Sequence, residues 1–293
     1  MTEKANVMTQ KTRQLADIIT AFDTSDGSGV KLKRCISRRR QDLLDPFILL
    51  DEFCTDNPDD YIGGFPEHPH RGFETVTYML AGSMRHRDHM GNEGHLKPGS
   101  VQWMTAAHGV IHSEMPEQEQ GRLHGFQLWI NLPASEKMKP PHYQEFGAEM
   151  IPVVPLADGA YVKVIAGEFA SDSGKATGPV TGVATRPLYF DILLAEGQDI
   201  HIPVDEQQTV LIYVYEGDLN VGDSNSSLAE GQLGLLTPGT EIELKTRGYD
   251  CRFLVLAASP IREPVVQSGP FVMNTHEEIE QAFRDYRDGR LTL

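Results

Sequence analysis

The stretch HPHRGFETVTYMLAG, residues 68–82, places two histidines one residue apart, directly before a run of β-branched and aromatic residues. Such a run predicts a buried β-strand. Because residues two apart in a strand point to the same face, we expect His68 and His70 to face the same side. Pro69 and Gly72 leave the phase open, since both residues can bend the chain. The stretch therefore predicts a strand with a pair of imidazoles at its start.

Similar strand-like runs recur along the chain, separated by Gly, Pro, Asn and Asp. They are FETVTYML (73–80), GFQLWINL (125–132), YVKVIAGEF (161–169), LYFDILL (188–194), TVLIYVY (209–215) and FLVLAA (253–258). Many short strands with few helical patterns between them favour antiparallel sandwiches or barrels over a βαβ sheet. We therefore expect an all-β protein with one helix, at 275–289, where Thr275 and Glu278 make a capping box.

The chain is long enough for two domains, with 293 residues of which 40% are hydrophobic. A proline-rich stretch between residues 133 and 155 interrupts regular pairing. We therefore predict domains at 1–149 and 150–293. Weakly similar segments recur on the two sides, which indicates an internal duplication. They are VTYMLAGSM (76–84) with LIYVYEGDL (211–219), and HLKPGSVQWMT (95–105) with GQLGLLTPGTEI (231–242).

The charge balance excludes some partners. With 26 Lys and Arg against 42 Asp and Glu, the net charge of −16 disfavours nonspecific binding to nucleic acid or anionic lipid. One basic run, KLKRCISRRR (31–40), is either the solvated face of a strand pair or a docking patch for a protein, centred on Arg38, Arg39 and Arg40.

Cysteine spacing and the absence of long apolar runs bear on the compartment. Cys35, Cys54 and Cys251 are too far apart for a Cys-x-x-Cys motif, and an odd number gives no disulfide framework. The first residues, MTEKANVMTQKT, have no apolar signal-peptide core, and no run of about 18 apolar residues occurs. We expect a cytoplasmic protein without a membrane span.

Histidines concentrate in the first half, where nine of the eleven lie between His68 and His142. In GVIHSEMP (109–116), His112 and Glu114 also share a strand face. Together with His68 and His70 they offer three imidazoles and a carboxylate, which suit iron, manganese, nickel, copper or zinc. The alternative is that these are unrelated surface or core histidines. His86 and His89 are expected in a solvated loop, and His95, His108 and His124 receive no role.

Longer motifs carry a resemblance to a known family. His68, His70, Glu74 and Gly82 follow the cupin pattern, in which a His-x-His precedes a glutamate and a later glycine. The chain resembles the pirin family of cupins over five runs: LDPFILLDEF (44–53), GGFPEHPHRGFETVTYML (63–80), GSVQWMTAAHGVIHSEMP (99–116), LHGFQLWINLP (123–133) and SGPFVMNTHEEIEQAFRDYRDGRL (268–291).

This resemblance implies two tandem cupin barrels, of the double-stranded β-helix or jelly-roll type, with a short C-terminal helix. It implies one Fe(II) ion in the first barrel, held by His68, His70, His112 and Glu114, and a second barrel without metal ligands. Glu74 is then a candidate for supporting the ligands or facing the substrate. Because the tandem barrels already cover a face that single cupins bury by dimerising, we expect a monomer.

Bacterial pirins resemble metal-dependent dioxygenases that cleave flavonols such as quercetin and release carbon monoxide. The resemblance thus implies a flavonol and dioxygen as substrates. Glu114 is our candidate for the base that takes the flavonol hydroxyl proton. Large residues near the ligands are candidates for an apolar pocket, although each is as easily explained as core. They are Phe53, Phe73, Met79 and Trp103.

A second function follows from the same family. Eukaryotic pirins act as non-enzymatic, iron-dependent redox sensors that bind transcription factors, and some bacterial members bind metabolic enzymes. The acidic balance of this chain disfavours direct contact with nucleic acid but not with a protein. The sequence therefore leaves a catalytic and a protein-binding function open.

Overall fold

The computed structural model describes residues 11–36, 41–223 and 226–293. The predicted docking residues Arg38, Arg39 and Arg40 lie outside these ranges. The described part of the basic run is a strand in which Lys31 is exposed and Leu32 is buried.

Strands dominate the structure. Those that precede residue 150 are β1 (Leu15–Thr20), β2 (Phe22–Asp26), β3 (Val30–Arg34), β4 (Phe47–Thr55), β5 (Phe65–His70), β6 (Phe73–Ala81), β7 (Met84–Asp88), β8 (Glu93–Leu96), β9 (Val101–Thr105), β10 (Val110–Pro116), β11 (Leu123–Asn131) and β12 (His142–Phe146). Those that follow it are β13 (Val153–Pro155), β14 (Tyr161–Ala166), β15 (Glu168–Ser171), β16 (Gly174–Thr177), β17 (Leu188–Leu194), β18 (Asp199–Pro203), β19 (Thr209–Glu216), β20 (Asp218–Val221), β21 (Ser227–Ala229), β22 (Gln232–Leu236), β23 (Glu241–Thr246), β24 (Cys251–Ala258), β25 (Val266–Ser268) and β26 (Phe271–Met273).

The helices are few and short. They are α1 (Gln41–Leu44), α2 (Ala134–Lys137) and α3 (His276–Arg287), with 3-10 turns at Pro58–Asp60, Ala148–Met150 and Ala157–Gly159. Helix α3 begins at the predicted capping box, in which the Thr275 hydroxyl accepts from the Glu278 amide and the Glu278 carboxylate accepts from the Thr275 amide. Ile279 and Ala282 form its buried stripe. Among the described residues, no helix combines the length and the apolar character that crossing a membrane would require.

The strands form two barrels of the same design, as predicted. In the first barrel, a seven-stranded sheet ordered β12-β9-β6-β11-β4-β3-β2 faces a four-stranded sheet ordered β5-β10-β7-β8. In the second, the orders are β1-β22-β19-β24-β17-β14-β13 and β18-β23-β20-β21. The six strand-like runs of the sequence all lie in these sheets. The prediction of an all-β fold with two cupin barrels is therefore confirmed.

Both ends of the chain cross between the barrels. Strand β1 pairs with β22 of the second barrel, although it precedes the first barrel in the sequence. At the other end, β26 and α3 pack against the start of β6, where the Arg71 guanidinium donates to Asp285 at 2.8 Å and to the Leu291 carbonyl at 3.1 Å. Strands β12 and β13 separate near residue 150 into different barrels. The boundary at 149/150 stays a prediction. A cut there would separate β1 from the barrel that it joins, and β26 and α3 from the barrel on which they pack.

Gly72 permits this C-terminal segment to come close to the histidine strand. Its φ is +91°, a conformation that L side chains rarely adopt. A Cβ at this position would lie 1.9 Å from the Val272 carbonyl oxygen. The glycine next to Arg71 therefore allows the backbones of the first barrel and of β26 to meet.

Candidate metal centre

Three imidazoles converge inside the first barrel. Strands β5 and β10 are antiparallel, and their register places His112 directly opposite His68. His70 lies two residues beyond His68 in the same strand, and both imidazoles face the same side. The bend at Gly72 therefore does not turn the two side chains apart. Each residue offers one ligand atom, and these atoms lie within 4.8 Å of one another. The ring centroids of the three histidines are 4.3 to 4.9 Å apart.

The hydrogen bonds of the rings direct their Nε2 atoms inward. His68 Nδ1 lies 2.8 Å from the Pro66 carbonyl oxygen, which can only accept, so Nδ1 carries the proton. The lone pair of His68 is then on Nε2, which lies 3.0 Å from His70 Nε2. His112 Nε2 is buried without a hydrogen-bond partner. Two nitrogens bound at right angles to one metal, each at about 2.1 Å, are about 3.0 Å apart. The donor set therefore fits a divalent metal.

Burial keeps two of these rings neutral. It lowers the pKa of His70 well below the usual range, and the neighbouring His68 lowers it further. Burial likewise lowers the pKa of His112, as do His68 and His70 beside it. A neutral imidazole keeps the lone pair that a metal needs.

Glu114 lies in the same barrel, just past an irregularity in strand pairing. The register of β10 against β5 shifts between His112 and Glu114, and such bulges re-aim side chains near functional sites. The carboxylate is buried, and its Oε1 accepts a hydrogen bond of 2.8 Å from the Thr77 hydroxyl. Glu114 is not part of the three-histidine cluster within 4.8 Å. Its role as a fourth ligand stays a prediction.

A cavity of about 710 Å³ opens above the histidines. His68, His70 and Glu114 lie in its wall. Apolar residues from several strands make much of the remaining wall: Phe22, Leu32, Ile48, Leu49, Phe53, Phe65, Met84 and Trp129. Gln267, Gly269 and Pro270 of the C-terminal segment close one side. The crossing C-terminus thus completes the cavity of the first barrel.

Polar and charged side chains also line this cavity. Arg34 makes a two-pronged ion pair with Asp51, with N–O distances of 2.9 and 2.6 Å, and also contacts Asp26 at 2.9 Å. Burial raises the pKa of Asp51 to about 6, although Arg34 opposes this. Thr77 and Gln127 also line the wall. The cavity therefore combines apolar walls with polar and charged groups that can orient a ligand, as ligand sites usually do.

The residues predicted for the pocket separate into two groups. Phe53 lines the cavity, whereas Phe73, Glu74, Met79 and Trp103 are buried outside its lining. Phe73 packs edge-on against His70, at 5.1 Å between ring centroids, and therefore supports the position of that imidazole. Glu74 accepts a hydrogen bond from the Thr105 hydroxyl at 2.7 Å.

The prediction that His86 lies in a solvated loop is wrong. The residue lies in β7 with 1% of its surface exposed, opposite Glu114 on β10. Its Nδ1 is 3.3 Å from His112 Nδ1, so it packs behind a histidine of the cluster. The first four residues of RHRDHMGNEG belong to β7, in which Met84 and His86 are buried, and the turn predicted for this segment is confined to residues 89–92. His89, by contrast, is exposed, as predicted.

Comparisons with known proteins agree with this fold. The profile of the family described as Pirin matches residues 29–130, and that of the Pirin C-terminal cupin domain matches residues 189–292. The chain belongs to the pirin family. A Pseudomonas aeruginosa protein provisionally named a quercetin 2,3-dioxygenase is 51% identical over 96% of this chain and 99% of its own length. Human pirin is 43% identical over 93% of this chain and 91% of its own.

A solved structure is also similar. The crystal structure described as quercetin 2,3-dioxygenase from Acinetobacter baumannii superposes with a TM-score of 0.88 at 35% sequence identity. The match covers 96% of this chain and 98% of that one. Pirins thus include bacterial proteins named for flavonol cleavage and vertebrate proteins named only for the family.

The second barrel of this pirin has no comparable cluster among its described residues. His201 lies in β18 but is about half-exposed, between Asp199 at 3.5 Å and Glu241 at 3.4 Å. The expectation that His201 is an ordinary polar residue agrees with this position.

A second group of possible ligand atoms lies in the first barrel, and no motif in the sequence indicates it. It consists of Glu52, Cys54 and His124. Glu52 and His124 are 72 residues apart in the chain and meet only because β4 pairs with β11.

Proposed function

We propose that this pirin is an iron-dependent dioxygenase that cleaves flavonols such as quercetin with release of carbon monoxide. The observation that carries the proposal is the three-imidazole cluster at the wall of a largely apolar cavity of about 710 Å³. Flat polyphenols match such a cavity in shape and chemistry, and volumes of about 300–1,000 Å³ are typical of small-molecule sites. The named relatives from Pseudomonas and Acinetobacter support the same reaction.

The proposed ligands are His68, His70, His112 and Glu114. A divalent ion held by them supplies a Lewis acid for the substrate hydroxyl and a route for electrons to dioxygen. Iron is our choice from the family resemblance, and manganese, nickel, copper and zinc suit the same donors.

Glu114 is the proposed base. Its carboxylate lies in the cavity wall, where a flavonol hydroxyl can reach it, and a carboxylate near a metal can accept a proton. The Thr77 hydroxyl donates to Oε1, which fixes the orientation of the carboxylate and leaves Oε2 for the proton. The bulge after His112 gives Glu114 this position.

The remaining cavity residues bind and shield the substrate in this proposal. Trp129 packs against His70 at 5.1 Å between ring centroids and offers an aromatic wall to a flat ring system. The Arg34–Asp51 pair offers a donor and an acceptor to phenolic hydroxyls. The apolar wall excludes water, which would otherwise compete for the reactive positions. We further propose a monomer in the cytoplasm, where its three free cysteines would stay reduced.

Carbon monoxide release tests the proposal. Protein reconstituted anaerobically with Fe(II) is mixed with quercetin in air, beside the variants His112→Ala and His201→Ala. We expect the wild type and His201→Ala to release carbon monoxide and His112→Ala to release none. Of the two replaced histidines, His112 belongs to the proposed centre and His201 does not. If iron-loaded wild type releases no carbon monoxide, the proposed reaction is wrong.

A further inference from the structure

Cys54 lies in a polar cluster on the far side of β4 from the metal cavity. Neighbouring residues of a strand point to opposite faces, and Phe53 lines the cavity, so Cys54 faces away from it. His124 lies directly opposite Cys54 on β11, and Glu52 is two residues away on the same face. Ligand atoms of the three side chains lie within 4.8 Å of one another. Register alone thus brings a thiol, an imidazole and a carboxylate together.

Hydrogen bonds order this cluster. Tyr213 of the second barrel donates its hydroxyl to Glu52 Oε2 at 2.6 Å, which fixes the carboxylate. Glu52 Oε1 lies 2.9 Å from His124 Nε2 and accepts its proton in a hydrogen bond. The Cys54 sulfur lies beside the same imidazole, within 4.8 Å of one of its ring nitrogens. Because Nε2 donates to Glu52, Nδ1 is the nitrogen that can take the thiol proton.

A second positively charged side chain, that of Arg122, contacts the Cys54 sulfur. The Arg122 guanidinium donates to Cys54 Sγ at 3.1 Å. The neighbouring His124 imidazole lowers the pKa of Cys54, burial opposes this, and Arg122 lowers the pKa further. Although burial opposes it, Cys54 and Glu52 raise the pKa of His124 to about 9. The charged and titratable groups around the sulfur are Glu52, His124 and Arg122, then Tyr213 and Tyr215 from β19, with Asp56 and Glu216 near the guanidinium.

The other two cysteines provide an internal contrast. Cys35 and Cys251 are buried, and burial raises the pKa of both thiols, that of Cys251 to about 12. Cys54 is exposed and lies between two cations. Reactive cysteines occupy such electropositive, accessible positions, whereas buried structural ones are inert.

We propose that Cys54 is a redox modification site whose thiolate, held by His124 and Arg122, is oxidised by hydrogen peroxide. The thiolate sulfur attacks one peroxide oxygen, an S–O bond forms and the O–O bond breaks. Sulfur loses two electrons and becomes a sulfenic acid, while the leaving hydroxide takes a proton from the His124 imidazolium and departs as water. Cys35 and Cys251 are both buried, so a small cellular thiol condenses with the sulfenic acid, releasing water and forming a mixed disulfide. A second small thiol then attacks the mixed disulfide, forms a disulfide with the first small thiol and releases Cys54 as a thiolate.

Zinc binding is the competing explanation, because thiolate, imidazole and carboxylate are zinc ligands. Two contacts disfavour it. Arg122 places a positive charge on the sulfur that a zinc ion would have to displace. Glu52 already accepts hydrogen bonds from both Tyr213 and His124. The cluster is therefore better suited to stabilising a thiolate than to holding a second cation.

Alkylation measures the proposed thiolate directly. The rate of iodoacetamide reaction at Cys54 is followed by peptide mass spectrometry on the full chain at about pH 6.5, where an ordinary thiol of pKa about 8.5 is only about 1% ionised. We expect the rate to fall about tenfold in His124→Gln and severalfold in Arg122→Ala, with Cys35 and Cys251 unmodified. Arg122 is exposed, so that variant keeps the test valid if His124→Gln fails to fold. Equal rates in the wild type and in a folded Arg122→Ala would overturn the proposal.

Peroxide oxidation is measured by trapping the sulfenic acid with dimedone. Each protein is first treated with Fe(II) and freed of excess metal, so that the wild type and Arg122→Ala carry iron and His112→Ala does not. After a peroxide pulse we expect adducts on Cys54 in the wild type and in His112→Ala, and fewer in Arg122→Ala. Labelling that disappears in His112→Ala would show that the oxidant comes from the metal centre, and would overturn the proposal whatever the fate of the dioxygenase reaction. Zinc that binds in a Cys54-dependent manner and blocks alkylation would also overturn it.

Discussion

The two barrels use the same strand pairing for different purposes. In the first, β5 pairs with β10 and His68 lies opposite His112. In the second, β18 pairs with β23 in the same manner, and Ile200 lies opposite Leu244, with both side chains buried. The same positions in one architecture thus carry a polar cluster beside a cavity in one barrel and a packed apolar core in the other.

This difference shows that register, more than residue content, decides where a site can form. Strand β18 also contains a histidine, but His201 alternates with Ile200 and Ile202 and therefore points outward. Its contacts are surface carboxylates. A histidine one position earlier or later in β18 would face the barrel interior. The HPH sequence of the first barrel, residues 68–70, places two histidines on that interior face.

The largest expected effect concerns Glu114. Replacing it with glutamine removes the proposed base but keeps the size and the Thr77 contact, so metal should be partly retained while carbon monoxide release falls about 10²–10⁴-fold. Glu243→Gln is the matched control, because Glu243 lies on β23 opposite His201 in the second barrel. Turnover and bound metal are measured on the same samples. Full turnover in Glu114→Gln would remove that residue from the proposed role.

A smaller effect is expected in the interior of the second barrel. Leu244 is fully buried, and Leu244→Ala should lower the free energy of unfolding by about 2–5 kcal/mol through lost packing and a cavity. Because that interior has no proposed chemistry, carbon monoxide release per folded molecule should stay unchanged below the unfolding transition. Urea titration gives the first quantity and gas release the second. A selective loss of turnover would mean that the second barrel takes part in the reaction.

The smallest effect concerns the buried carboxyl of Glu74 in the first barrel. Burial raises its pKa to about 7 from an ordinary value of 4.5, although the Thr105 hydroxyl donates a hydrogen bond to the carboxylate. The folded state therefore holds the proton longer than the unfolded state, and stability decreases as pH rises through 7. Between about pH 6 and pH 8 this amounts to about 1 kcal/mol, which Glu74→Gln should abolish. Urea unfolding of the wild type and of Glu74→Gln at the two pH values measures this difference. An equal loss of unfolding free energy in both proteins between about pH 6 and pH 8 would contradict the prediction.

The sequence predicts features that depend on short-range patterns. The six strand runs follow from clusters of β-branched and aromatic residues between turn residues, and α3 follows from its capping box and apolar stripe. His68 and His70 share a face because the strand period is two. These features need no knowledge of which strands pair.

Features that depend on long-range pairing escape prediction from one sequence. Strand β1 reads as an ordinary edge strand, and nothing in it indicates that it joins the second barrel. The cluster of Glu52, Cys54 and His124 exists only because of the β4–β11 register. Pro270 lines the cavity because the C-terminus returns to Arg71, about two hundred positions earlier in the chain. The sequence around His86 looks like a polar loop because charged residues alternate with the buried residues of β7.

Metal content tests the contrast between the barrels most directly. Wild type, His112→Ala and His201→Ala are reconstituted with Fe(II) under anaerobic conditions, freed of excess metal and analysed for iron per chain. We expect one equivalent of iron in the wild type and in His201→Ala, and almost none in His112→Ala, with all three proteins folded. Iron that stays in His112→Ala, or that is lost in His201→Ala, would contradict a single centre in the first barrel.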